Sequence, residues 1–167
     1  MDGDYDTCIA NAQKCLALSE KNWVGDIPEY IVRSAMWLAM WLKGERDRIW
    51  DAVISALDKF VKASVVDFSM YLIDSHLAEV VFLALESTDQ DNFSTIRRDE
   101  IKKYAKIAIK NLRKYVGIFA IGEPALNQYR GDFAWKYKKP EKAYQFWQTA
   151  AKIAQSIPIS YELGRAE

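Results

Sequence analysis

The stretch Glu123–Pro158, EPALNQYRGDFAWKYKKPEKAYQFWQTAAKIAQSIP, decides the fold. It reads as two helices joined by a short break at Lys138–Lys139, with Pro140 at the favoured first position of the second helix. Gly131 lies on the first helix, and Ala143, Trp147 and Ala150 lie on the second. Small residues at those points let two antiparallel helices approach closely. Pro158 disfavours helix in the residue before it and so closes the unit.

Working outward, the rest of the chain repeats the theme less regularly. A first helix is expected from Asp4 to Ser19, with Cys8, Ala12, Cys15, Leu16 and Ser19 at helical spacing. After a break at Asn22–Gly25, Asp26 is placed to cap a second helix carrying Ile31, Ala35, Trp37, Leu38 and Trp41, which stops near Lys43–Gly44. A third helix from Arg46 to Lys62 follows a turn so short that the two must lie antiparallel. The fourth, from Asp67 to Leu85, is apolar around most of its circumference, as a helix between two layers must be. An acidic, polar connection over 86–94 is long for a bundle and reads as the mobile segment. The fifth helix is expected over Thr95–Ala120, with Ile101, Tyr104, Ala105, Ala108, Ile109, Leu112 and Val116 as its buried stripe. The pattern thus predicts an all-α domain over 1–167 of about seven helices, with no strand-like alternation.

Composition agrees and excludes several classes. Half of the 167 residues are hydrophobic, and six Trp and nine Tyr supply large buried areas, so the chain can offset its ordering entropy. With 23 basic and 23 acidic side chains, net charge gives no reason to expect a nucleic-acid or membrane partner. Asp2, Asp4 and Asp6 stand where a signal peptide would be basic, and the apolar run Val80–Leu85 is far short of the roughly 18 residues that span a bilayer. A cytoplasmic setting is the expectation. Cys8 and Cys15 lie on one helix face about 10 Å apart, too far for a disulfide, and read as small buried hydrophobes.

Placed as hairpins, the chain resembles a tetratricopeptide-type array. Gly131 stands at the family's small residue of the first helix, and Ala143, Trp147 and Ala150 at the small, aromatic and small positions of the second. Ala134 departs from the family's usual Tyr, and hairpins beginning near 27, 67 and 123 depart from its period of about 34 residues. The segment from Pro140 to Glu167 is also similar to the last repeats of large bacterial signalling proteins that join a nucleotide-cyclase, kinase or DNA-binding domain to an ATPase module and a helical tail. Pro158, Tyr161, Glu162, Gly164 and Arg165 approximate that pattern. The resemblance implies a right-handed TPR-like superhelix of antiparallel hairpins. A helix left without a hairpin partner at each end is what cutting a longer array would leave, and exposed terminal helices would contact other domains or a second copy.

The same resemblance implies a non-catalytic role in protein–protein interaction or signal relay, with a protein or peptide held on the first helix of each hairpin. In the best-matching unit the outward positions are Gln128, Asp132, Trp135 and Lys136. Asp132 argues against a carboxylate ligand there, and an ordinary helix surface with Trp135 packed on a neighbouring repeat is the commoner outcome. A basic face of the fifth helix, Arg98, Lys102, Lys106, Lys110 and Arg113, is the second candidate. A solvated face explains it more simply, because no aromatic set interleaves the cations. The lone His76 has neither a nucleophile assigned to it nor the further ligands a zinc site needs, and no phosphate-binding loop is present, so neither a cofactor nor a metal is expected. The alternative is a small-molecule sensor with a pocket between hairpins lined by Trp37 and Trp41.

Overall fold

The computed structural model describes residues 4–21 and 25–156. Among them are eight α-helices and no strand: α1 Tyr5–Lys21, α2 Asp26–Leu42, α3 Arg46–Lys62, α4 Met70–Glu86, α5 Asn92–Ile96, α6 Arg98–Val116, α7 Glu123–Lys136 and α8 Pro140–Ser156. None of the described helices is long and apolar enough to cross a membrane.

The helices pack as successive hairpins. α2 pairs with α3, α4 with α6, and α7 with α8. In addition α2 packs on α4 and α4 on α7, which makes one layer, while α3 packs on α6 in a second. α1 lies against α2. α4 is therefore the central element, and Ile73, Leu77, Ala78, Val80, Val81 and Ala84 are completely buried on it. This all-round apolarity is what the sequence predicted for a helix between layers. Leu57, Ile101, Ala105 and Leu112 of the second layer are buried in the same core.

Two inter-helix turns share one construction. At the end of α2 the Glu45 N–H donates to Met40 O (2.9 Å) and Gly44 N–H to Trp41 O (2.9 Å), with Gly44 at φ +95°. At the end of α7 the Lys139 N–H donates to Ala134 O (2.9 Å) and Lys138 N–H to Trp135 O (3.0 Å), with Lys138 at φ +56°. Both close orphan helix carbonyls through a left-handed residue, which glycine adopts without strain and lysine does not.

Several expectations need correction. Cys8 and Cys15 are exposed, not buried. The face that α1 turns inward runs through Tyr5, Ile9, Ala12, Leu16 and Ser19, one position away from the thiols, because the larger apolar side chains take the seam. Asp26 does not cap α2: it is that helix's first residue, Gly25 is the cap, and the Asp26 carboxylate instead accepts from Lys59 of α3 (2.8 Å). α4 starts at Met70, not Asp67, because the Asp67 side chain captures the Ser69 N–H (2.7 Å) and holds a turn there.

The connection over 86–94 is structured. Ser87–Asp89 forms a 3-10 turn and Asp91 caps α5 by accepting from Ser94 N–H (2.7 Å). Ion pairs from Arg46 to Asp91 (2.6 Å), Arg98 to Asp89 (2.8 Å) and Lys136 to Asp89 (2.8 Å) pin it to three helices. This extra helix raises the count from seven to eight and delays the start of α6 to Arg98. The break at 22–24 and the C-terminal pattern at Pro158, Tyr161, Glu162, Gly164 and Arg165 lie outside the described residues.

Candidate functional site

The site grows out of the missing side chain of Gly131. A Cβ there would lie 2.9 Å from Trp147 Cε2, and Trp147 Nε1 and Cδ1 are nearer still. The indole of α8 therefore rests directly on the backbone of α7. Ala143, Ala150 and Ala154 are buried along the same seam and let the helices close. In this seat the Trp147 Nε1–H donates to Asp132 Oδ1 (2.9 Å), and Gln128 Nε2 donates to the same oxygen (3.1 Å). Two donors thus fix the orientation of the carboxylate.

Beside this pair stands Trp135, 60 % exposed, with its ring centroid 5.8 Å from that of Trp147 and the planes inclined at 44°. One turn along from Asp132, Lys136 donates to Asp89 Oδ2 (2.8 Å) and Glu86 O (3.2 Å). That hydrogen bond and charge hold the Asp89 carboxyl below its usual pKa. Across from α7, Phe82 and Leu85 of α4 supply an apolar wall, and Tyr129 backs Phe82 at 4.7 Å while donating to Glu79 Oε2 (2.7 Å). Asp132, Trp135, Lys136 and Trp147 form the facing wall of a cleft of about 140 Å³.

Three of the four positions read from the sequence, Asp132, Trp135 and Lys136, come together here, and Gln128 supports the carboxylate from one turn below. Trp135 is an exposed ring in contact with α8, not one buried under another hairpin. Trp147, Phe82 and Leu85 were missed as site residues. Trp147 had been read for packing alone, and the two α4 residues reach the site through a helix pairing that local patterns do not report.

The second candidate is less unified. Arg98 is committed to Asp89 and to the Thr88 carbonyl (3.1 Å), and Lys102 stacks on the Tyr137 ring at 4.6 Å. Lys106, Lys110 and Arg113 are exposed along α6. Lys114 turns inward, where its ammonium donates to the carbonyls of Phe60 (2.8 Å), Val61 (3.3 Å) and Ala63 at the end of α3.

Two further titratable groups remain. His76 Nδ1 lies 3.1 Å from Ser34 Oγ, and burial lowers the imidazole pKa against the opposing pull of Glu79. Ser34 is 0 % exposed and also donates to Ile31 O (3.0 Å), so with the half-buried His76 it joins α2 to α4. Asp74, 4 % exposed on α4, has an Oδ1 with no hydrogen-bond partner. Burial raises its pKa to about 7, partly offset by Lys114. Trp37 and Trp41 are buried in the core: Trp41 packs on Trp50 (6.1 Å) and Phe93 (5.6 Å), and Trp37 on Tyr30 (6.3 Å).

The described residues form an all-α, bundle-like fold of eight helices. Compared with protein-family models, with curated proteins and with solved structures, this chain matches none.

Proposed function

We propose that the chain is a TPR-like interaction domain that binds a peptide segment of a protein partner across the cleft between α4, α7 and α8. The observation that carries the reading is the exposed Trp135 ring set beside Trp147 above a fixed carboxylate. Exposed Trp in a pocket wall is the residue type that most often dominates interface energetics. The cleft volume of about 140 Å³ is below the roughly 300–1,000 Å³ of drug-sized ligand sites, and fits one side chain of a longer ligand. That favours a peptide over a small-molecule effector. The hairpin order, with α2, α4 and α7 in one layer and α3 and α6 in the other, is compatible with an array of the tetratricopeptide kind. Its place is in cytoplasmic signal relay, as part of a larger cyclase-type protein or beside one, and no catalytic step is assigned to the chain.

A random peptide display library panned on the full chain tests this. The expectation is enriched sequences whose binding falls at least about tenfold with Trp135→Ala, the loss expected of a binding hot spot. Enrichment that is indifferent to Trp135→Ala, or none at all, would overturn the reading.

A further inference from the structure

We infer that Arg113 of α6 and Arg130 of α7 form a receptor for a phosphate monoester, on the side of α7 turned away from the Trp135–Trp147 cleft. Asp132 lines that cleft, and Arg130 stands two residues before it, about 200° away around the helix. The site is thus independent of the peptide-binding reading. It stands out by how the chain treats its other arginines. Arg33 pairs with Glu29, Arg46 with Asp91, Arg48 with Glu45, Arg97 with Asp47 and Glu100, and Arg98 with Asp89, at 2.6 to 3.9 Å. Arg113 and Arg130 depart from this pattern. Among the described residues no carboxylate lies within ion-pair reach of either.

These two arginines are also neighbours. α6 packs on α7, and burial first, then the like charge of Arg113, push the Arg130 guanidinium below its usual pKa. A guanidinium does not give up its proton in a protein, so deprotonation cannot relieve the repulsion. An anion held between the two groups does. Lys106 and Lys110 are exposed and share the Arg113 face of α6 at helical spacing, which adds to the positive field. The acid on that face, Asp99, is fourteen residues away, about 20 Å along the axis. On α7, Glu123 shares the face of Arg130 but lies two turns off, about 10 Å.

Arg130 is held in place before any ligand arrives. Its guanidinium carbon lies 4.0 Å from the ring centroid of Phe146 on α8, and the side chain is half-buried. It donates to Asn127 Oδ1 at a long 3.4 Å, through one of the five N–H groups of a guanidinium. Asn127 is itself fixed, being buried and donating to Glu123 O (3.1 Å). A donor already oriented loses little freedom on binding. Arg113, exposed on α6, supplies a second and adjustable fork. Each fork matches two oxygens of a phosphate or a carboxylate. A carboxylate has only two oxygens and one charge, which one fork satisfies. A phosphate monoester has three acceptor oxygens and close to two charges near neutral pH, which suits two forks at once.

The probes are N-acetyl-O-phosphoserine amide, inorganic phosphate and, as the carboxylate control, N-acetyl-aspartate amide. Each is titrated into the full chain at constant ionic strength, slightly above neutral pH, and followed by the Nε–H resonances of Arg113 and Arg130. Phosphoserine amide is expected to shift both resonances saturably, and aspartate amide to bind at least about tenfold more weakly. Arg113→Gln and Arg130→Gln should each weaken phosphoserine amide by at least about tenfold. Arg113→Gln changes an exposed side chain, so the fold is not at stake, and it carries a second readout. In phosphate-free buffer it removes the like charge beside Arg130 and should raise Tm, by less as salt screens the pair. Tighter binding of phosphoserine amide than of inorganic phosphate would support a phosphorylated side chain as the source, and the reverse a free phosphate; both support the site. Equal binding of phosphoserine and aspartate amides, shifts that never saturate, or an affinity untouched by both substitutions would overturn the inference. So would a fall in Tm for Arg113→Gln without phosphate, because the chain would then be supplying Arg113 with an anion of its own.

Discussion

Gly131→Ala tests the contact on which the α7–α8 hairpin is built. In isolation the substitution should help, because alanine is favoured over glycine inside a helix by about 0.8–1.0 kcal/mol. Here the new Cβ lands 2.9 Å from Trp147 Cε2 and nearer still to Nε1 and Cδ1, inside a rigid ring that cannot fold away. Overpacking of this kind costs about 1–3 kcal/mol. Moving the indole also strains its 2.9 Å bond to Asp132, worth about 1 kcal/mol in a partly exposed setting. The steric and hydrogen-bond losses outweigh the propensity gain, leaving a net destabilisation of about 2 kcal/mol. For a chain of this size that lowers Tm by roughly 4–8 °C.

The decisive measurement is a double-mutant cycle by urea denaturation, with Gly131→Ala made in the native chain and in Trp147→Ala. With the ring gone the clash is gone, and only the propensity term survives. Gly131→Ala should then stabilise by about 1 kcal/mol, so its sign reverses between backgrounds and the coupling is about 3 kcal/mol. The reasoning fails if the substitution has the same effect in both backgrounds, or if it stabilises the protein that retains Trp147.

Three further predictions concern groups away from the cleft. Asp74 holds its proton in the folded state up to about pH 7 but releases it near 3.8 when unfolded. The native state therefore binds the extra proton between those values, and Asp74 makes stability fall as pH rises through that window and level off above it, by on the order of 4 kcal/mol in all. Asp74→Asn should remove this component, so that the stability difference between variant and native chain grows from pH 4 to pH 7; a pH-independent difference in chemical denaturation would refute it. Lys114→Met should cost about 1–2 kcal/mol by freeing the carbonyls at the end of α3. It should also shift the Asp74 titration to higher pH, because Lys114 opposes the rise; carboxyl resonances read this directly. Lys138→Gly should stabilise by about 0.5–1 kcal/mol, while Gly44→Ala should destabilise by a similar amount, because both positions have positive φ. Thermal melts of the two variants check the opposite signs.

How much of this was legible in the sequence depended on the range of the interaction. The α7–α8 hairpin was readable because Gly131, Ala143 and Ala150 belong to neighbouring helices, and spacing alone brings them together. Pro140 marked the start of α8 for an equally local reason. Asp132, Trp135 and Lys136 were found as one outward strip of α7, yet the wall they face comes from α4, and nothing in the order of helices specifies which turn of α4 stands opposite. The thiols of α1 illustrate the other failure. Periodicity placed Cys8 and Cys15 on one face correctly, but only α2 decides that the face one position over, through Ile9 and Leu16, turns inward. The 86–94 connection was read as mobile from its polarity, whereas its acidic residues are the anchors: Asp89 and Asp91 find Arg46, Arg98 and Lys136 on three separate helices. Asp74 was legible and overlooked, since it lies on the same α4 face as Met70 and Leu77 and a carboxyl in that stripe has to be buried.

The balance of 23 basic and 23 acidic side chains bears on how such a surface would recognise anything. Without net charge, long-range attraction of a partner is weak, and encounter rates in the ordinary range of about 10⁵–10⁷ M⁻¹s⁻¹ are expected for the proposed partner. Discrimination then has to arise after contact, in how long the partner stays. A cleft walled by two indoles suits that regime, because stacking acts only at contact distance. On the proposed reading, specificity would accordingly be a matter of dissociation, concentrated where Gly131 allows a tryptophan to rest against a helix.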